Sequence, residues 1–222
     1  VRSRGLGDVY KRQQENVLNG DLVIIGDGDP TLSDRVYEKP TTIFEIWADS
    51  LKSLGIDSIN GNIIGDDNKF DDDHLGYGWP LSGLSYWYSA EFGALQLNEN
   101  YIDLMFYPPF SINDSLIIAK DVESNYYSII NEIKIADTGK TSINITREYG
   151  TNEIIFNGNI LIGSAPFERS PTITNPTKFY VTVFKEVLEK KGIKVSGLPI
   201  DCDDIPNYHE SIFTVSYTHL TL

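Results

Sequence analysis

Apolar residues come in short runs separated by turn-forming residues, and two stretches carry a helical stripe. The run at 21–25 (DLVII) is stopped by Gly26, Asp27, Gly28, Asp29 and Pro30, the pattern of a buried strand entering a tight turn. Pro40, Thr41 and Thr42 then precede Ile43, Ile46, Trp47, Leu51 and Leu54, whose spacing predicts an amphipathic helix closed by Gly55. At 58–64 (SINGNII) the Asn60-Gly61 pair predicts a hairpin or sharp bend. An acidic loop and an aromatic, irregular stretch at 79–89 follow. In 101–107 (YIDLMFY), Ile102, Leu104 and Phe106 then fall on one face of a strand. Between 108 and 163, short β-prone runs alternate with Asn, Asp and Gly turns, which predicts a small β-rich module. A second helix is predicted from Asn175 as cap and Pro176 at the first helical position, with Tyr180, Val183, Phe184, Val187 and Leu188 on its stripe and Gly192 at its end. A strand should start at 193–195.

The fold class is therefore mixed α/β (α+β), with a small β-rich subdomain. The 222 residues, 41% hydrophobic and 12% aromatic, suffice for a packed core. Acidic residues outnumber basic ones 32 to 18, and a net charge of -14 argues against nucleic acid and anionic membranes as partners. The single cysteine, Cys202, excludes an internal disulfide framework, and no apolar run is long enough to span a bilayer. The ends differ from the body: residues 1–13 (VRSRGLGDVYKRQ) and 215–222 (VSYTHLTL) resemble translated sequencing-adapter DNA, so no functional weight falls on His219.

Candidate chemistry is sparse. Asp66, Asp67, Asp71, Asp72 and Asp73, with Asp27 and Asp29 as a second group, raise a calcium site. The run nevertheless lacks the ligand spacing of the helix–loop–helix calcium motif, so a solvated acidic loop is expected and no metal ligand is assigned. His74 and His209 have neither a histidine at helical spacing nor a cysteine cluster beside them, which argues against a zinc set and for loop or surface histidines. Trp79, Tyr86, Trp87 and Tyr88 could stack on a sugar, but large aromatics in irregular segments are expected to fill core or domain-interface space. Serine acyl-transfer sites of the penicillin-binding type use Ser-x-x-Lys, Ser-x-Asn and Lys-Thr-Gly. Ser-x-x-Lys is absent from the chain. Ser-x-Asn occurs at Ser58–Asn60, Ser111–Asn113 and Ser142–Asn144, and Lys140-Thr141-Ser142 only half matches the third motif, so these are expected to be chance matches.

Three stretches together resemble the class C low-molecular-mass penicillin-binding proteins, the S13 D-alanyl-D-alanine carboxypeptidases and endopeptidases. They are 19–32 (NGDLVIIGDGDPTL), 61–70 (GNIIGDDNKF) followed by Gly78-Trp79-Pro80, and 88–104 (YSAEFGALQLNENYIDL). The predicted second helix with the GIKVSG that follows it is similar to the family's Asp-Pro helix, Asn175 standing in place of the aspartate. The resemblance implies inserted domains of a β-lactamase/transpeptidase-like serine peptidase, with the catalytic core largely absent. The expected division is 14–107 for the first part of an inserted α/β domain, 108–163 for a small β-rich domain, and 164–214 for the return toward the catalytic domain. It further implies an extracytoplasmic, periplasmic parent that cleaves peptidoglycan stem peptides ending in D-Ala-D-Ala, reacts with β-lactams and needs no cofactor. The present fragment would be inactive, with no catalytic residue assigned. In some members the loop that starts Gly-Trp-Pro aims an acid and, five positions on, an aromatic at the stem peptide. Here these positions are Gly83 and Tyr88, so Tyr88 is the one candidate substrate-binding residue. The rival reading is a non-catalytic secreted glycan-binding or scaffold module working through Trp79, Trp87 and Tyr88.

Overall fold

The computed structural model describes residues 13–14 and 16–208. The adapter-like stretches other than residue 13, together with His209 and His219, lie outside the described residues.

In chain order the elements are β1 (Gln13–Gln14), β2 (Val17–Asn19), β3 (Leu22–Ile25), α1 (Thr42–Ser53), β4 (Ser58–Asn60) and β5 (Ile63–Asp66). Then come β6 (Leu104–Tyr107), β7 (Ile117–Lys120), β8 (Ser128–Ala136), β9 (Ser142–Arg147), β10 (Glu153–Leu161) and β11 (Phe167–Arg169). The last are α2 (Pro176–Lys190), β12 (Lys194–Val195) and β13 (Pro199–Asp201). Among the described residues they group into two compact units, one holding those up to Asp72, Gly93–Leu97 and those from Asn175, the other Asp73–Phe92 and Asn98–Thr174.

The first unit is built on parallel strands. β2, β4 and β12 are parallel neighbours, as are β3, β5 and β13, in the same order, and β1 pairs antiparallel with the outer edge of β2. Backbone bonding runs through the break between the two sets. Gly20 N–H donates to Asn60 O (3.1 Å), Leu22 N–H to Asn62 O (2.8 Å) and Gly197 N–H to Gly61 O (3.0 Å). A Cβ on Gly61 would strike the Gly20 carbonyl and come within 2.7 Å of Asp21 N, and one on Gly197 would lie 2.5 Å from the Gly61 carbonyl carbon. The Asn60-Gly61 pair is thus a bend inside a strand line and not a hairpin, since β4 and β5 each pair with neighbours and not with each other. Glycine is needed there for close approach of three backbones.

Successive residues of β5 point to opposite faces. On one face Gly65 meets Thr177 and Val181 of α2. On the other, Ile64, Cys202 and Tyr208 form a cluster joined by Val23, Ile200 and Ile205. The helices pack on each other, but α1 buries Phe44 and Ala48 and leaves Ile46, on the predicted stripe, exposed: the Phe44 ring lies 4.7 Å edge-on from Tyr180 and 5.1 Å from Phe184, with Trp47 5.6 Å from Phe184. Burying a phenylalanine of this kind contributes about 1.5–3 kcal/mol. The Asn175 side chain accepts from Lys178 N–H (2.7 Å) and Pro176 begins α2, as the sequence predicts.

In the second unit β10 lies between β8, parallel, and β9, antiparallel, while β6 lies between β11 and β7. Phe106 and Phe156 meet edge to face at 5.0 Å in the core. Residues 73–92 and 98–107 belong with this β-rich unit. Asn98, Glu99 and Asn100 form a left-handed turn (φ 48°, 52° and 59°). A left-handed non-glycine residue costs about 1–2 kcal/mol, least for Asn. Asn100 Nδ2 offsets this by donating to Ile173 O (2.7 Å), and Ile173 N–H returns a bond to Asn100 O (3.0 Å).

Gly61→Ala is expected to lower unfolding stability by about 1–3 kcal/mol, since the added methyl has only backbone to displace. An unchanged urea midpoint would contradict the shared bend.

Candidate functional site

The second unit presents an aromatic surface. Residues 79–89 form an irregular loop with two short 3-10 turns, Leu81–Gly83 and Trp87–Ser89. Trp87 and Tyr88 are 56% and 58% exposed, so they do not fill the core, one of the two places expected for them. Tyr88 lies parallel to Tyr86 with ring centroids 5.6 Å apart, and Trp87 stands edge-on to Tyr88 at 5.9 Å. Their backbones are held by turn bonds, Tyr86 N–H to Gly83 O and Ser89 N–H to Tyr86 O, which leave the rings outward. Gly83 is buried beneath them. A Cβ there would sit 3.2 Å from Ser89 Oγ and 3.7 Å from the Tyr88 ring, so the two positions singled out in the Gly-Trp-Pro loop are neighbours in space.

What fixes this loop is a residue that no sequence signal marked. Arg147, at the end of β9, is buried, and its guanidinium donates to Thr151 O (2.9 Å), Leu84 O (3.0 Å) and Thr172 Oγ1 (3.1 Å). Its backbone N–H donates to Ser85 Oγ (3.0 Å), and Thr172 Oγ1 donates to Leu84 O. Burial pulls the guanidinium pKa down from its ordinary value, and nearby Glu91 opposes that shift. One buried cation thus ties the loop carrying Trp87 and Tyr88 to the central sheet.

The first unit gathers acids at the carboxyl ends of its parallel strands. Asp67, Asp201, Cys202 and Asp203 bring ligand-type atoms within 4.8 Å of one another. Asp67 and Asp201 are buried, unlike the solvated loop expected from the aspartate run; Asp71, Asp72 and Asp73 do stay exposed. The buried acids are satisfied within the protein: Thr177 Oγ1 donates to Asp67 Oδ2, and Asn175 Nδ2 donates to Asp201 Oδ2 (2.9 Å). Burial raises the pKa of Asp201, Asp203 and the Cys202 thiol. His74 bonds Phe92 O through Nδ1 (3.0 Å), a loop contact. The Ser-x-Asn matches at Ser58 and Ser142 lie in β4 and β9, where Asn60 and Asn144 bond other side chains across the sheets.

The family model described as D-Ala-D-Ala carboxypeptidase 3 (S13) family matches residues 8–207. The chain belongs to the S13 family. A curated relative, the D-alanyl-D-alanine carboxypeptidase of Actinomadura sp. (strain R39), is 26% identical over 183 residues, which cover 80% of this chain and 33% of the relative. The chain thus spans a third of that protein's length. Among solved structures, penicillin binding protein 4 (dacB) from Haemophilus influenzae aligns with a TM-score of 0.67 at 20% identity, over 85% of this chain and 40% of that one. The same protein complexed with a β-lactam (CMV) aligns with a TM-score of 0.55 at 17% identity, over 84% and 37% of the two chains. The fold class read from the sequence agrees with this likeness.

The S13-like stretches have evident structural work. Gly26, in the GDGDPTL stretch, lies against residue 94: a Cβ there would be 2.5 Å from the Ala94 carbonyl, and Gly28 N–H donates to Ala94 O (2.9 Å). In the Asn-Glu-Asn stretch, Asn98 Nδ2 donates to Asp121 Oδ2 (3.0 Å), and Asp121 Oδ1 accepts from the N–H groups of Asp103 (2.9 Å) and Val122 (2.7 Å). Burial, then repulsion from Asp103, pushes the Asp121 carboxyl up to about 7.

An aspartate free in the unfolded chain titrates near 3.9. The Asp121 contribution to stability is therefore full below about pH 4 and is lost as pH rises to about 7, at most roughly 4 kcal/mol by linkage. Asp201 and Asp203 shift in the same direction. Urea unfolding should give a higher midpoint at about pH 4.5 than at about pH 7.5. Asp121→Asn should shrink that difference, and a wild-type midpoint that rises with pH would contradict the assignment.

Proposed function

We propose that this chain is the inserted portion of a serine-type D-Ala-D-Ala carboxypeptidase or endopeptidase that acts on peptidoglycan stem peptides outside the cytoplasmic membrane. Membership of the S13 family carries the reading. In it, a serine and a lysine of a Ser-x-x-Lys motif elsewhere in the parent protein perform the acyl transfer. The serine attacks the D-Ala-D-Ala carbonyl, the lysine handles its proton, and water releases the shortened stem peptide. Because Ser-x-x-Lys is absent from these 222 residues, the chain alone neither hydrolyses stem peptides nor is acylated by β-lactams.

The role assigned to this chain is recognition. Tyr88, exposed and braced by Tyr86, offers a flat apolar face and a hydroxyl to the stem peptide, and its neighbour Gly83 supplies no carboxylate to receive a free amino group. The exposure of Trp87 beside it supports a second reading, a glycan-binding or scaffold module in which both rings stack on sugar.

The two readings separate in the protein expressed from the extended gene. If Tyr88 contacts the stem peptide, Tyr88→Ala lowers kcat/KM for D-Ala release by about tenfold, the cost of roughly 1.4 kcal/mol. Acylation by a penicillin lacking the stem would be unaffected. Loss of sacculus binding in Trp87→Ala, in a gene product with no Ser-x-x-Lys, would instead establish the glycan-binding reading.

A further inference from the structure

The loop that presents Trp87 and Tyr88 is fastened at both ends to one segment of the second unit. At its start, Thr172 Oγ1 donates to Leu84 O, Thr172 N–H donates to Ser85 O (3.4 Å), and Tyr86 forms an antiparallel bridge with Pro171. At its end, Thr174 Oγ1 donates to Glu91 Oε1 (2.6 Å). Thr174 is itself held: its N–H donates to Asn152 Oδ1 (2.8 Å), and its carbonyl accepts from Tyr126 OH (3.2 Å) and Asn152 Nδ2 (3.3 Å). The exposed rings of Trp87 and Tyr88 lie in the chain between the two fastenings.

Arg147 and Glu91 bring opposite charges to those two ends, and both side chains are buried. The guanidinium holds the start of the loop through Leu84 O, while the Glu91 carboxylate, at its end, opposes the effect of burial on Arg147. Either charge buried alone would be strongly destabilising, so the two ends stay seated together. A loop already seated loses little freedom when a ligand settles on its rings, whereas a released loop must first be ordered. The site also asks for arginine in particular. Three acceptors, Thr151 O, Leu84 O and Thr172 Oγ1, surround the planar fork, and a lysine ammonium would keep the charge without spanning them.

We propose that Arg147 is a positioning residue for stem-peptide recognition, acting through Leu84 and Glu91 to hold the Tyr88 ring where the peptide meets it. The inference rests on the reading of Tyr88 as the stem-peptide contact. It goes beyond that reading in making the affinity of an exposed ring depend on a buried charge pair that does not itself meet the peptide.

Two variants separate positioning from simple misfolding. Arg147→Lys keeps the charge, and Arg147→Met combined with Glu91→Gln removes both charges, so neither leaves a buried charge alone. In the 222-residue chain carrying fluorotyrosine at position 88, both variants should move the fluorine resonance toward its position in the unfolded chain, while the far-UV circular dichroism stays that of the wild type. In the protein expressed from the extended gene, each variant should lower kcat/KM for D-Ala release by about tenfold relative to acylation by a penicillin lacking the stem. Tyr88→Ala added to either variant should lower that ratio little further, because both changes remove the same contact. A resonance that does not move, an unchanged ratio, or losses that multiply when Tyr88→Ala is added would each overturn the positioning role. If Tyr88→Ala alone leaves kcat/KM unchanged, the reading of Tyr88 fails, and the proposal falls with it even where the resonance moves.

Discussion

Backbone lying directly against backbone is the constraint on which the first unit depends. Where its three parallel strand lines bend together, the Gly20 carbonyl occupies the space that a side chain on Gly61 would need, and the Gly61 carbonyl group does the same to Gly197. The same device recurs at Gly26, pressed on the Ala94 carbonyl, which seats residues 93–97 beside the end of β3. With these contacts made, the helix-facing side of the sheet accepts α2 through Gly65, and Phe44, Tyr180 and Phe184 close over the space between the helices. Larger residues at these glycines would push the strands apart and loosen the packing built on them.

The second unit uses buried polar groups for the same purpose. Arg147 gathers the carbonyls of Leu84 and Thr151 and the hydroxyl of Thr172 around one charge, and the left-handed Asn98–Asn100 turn is held by amide side chains that bond Ile173 and Asp121. Such networks hold a single geometry only when nearly every member is bonded. Their consequence is an irregular loop rigid enough to hold Trp87 and Tyr88 outward, which an apolar core alone would have drawn in.

Both helices were legible in the sequence, α2 through cap, stripe and terminal glycine, since Asn175-Pro176 and Gly192 bracket it, and α1 in extent only, since its buried face is Phe44 and Ala48 and not Ile46. The strand with Leu104 and Phe106 inward was legible from its alternation. Other features depend on residues far apart in sequence and left no local mark. Asn60-Gly61 carries the composition of a hairpin turn, yet its glycine answers to Gly20, about forty residues away. Asp67 reads as one more acid in a solvated run but is buried by Thr177 and Cys202. The unit boundaries at 72 and 174 follow long-range pairing that composition does not record. Of the site, the sequence singled out Gly83 and Tyr88 through the family resemblance but left Arg147 unmarked, since nothing around it differs from an ordinary surface strand.

The proposal that these residues serve recognition and scaffolding, with the acyl transfer done elsewhere in a parent protein, rests on membership of the S13 family and on the absence of Ser-x-x-Lys from these 222 residues. Intact-mass measurement of the purified 222-residue chain after incubation with benzylpenicillin tests it most directly. The account predicts an unchanged mass; a covalent penicilloyl adduct would show a nucleophile within these residues and contradict it.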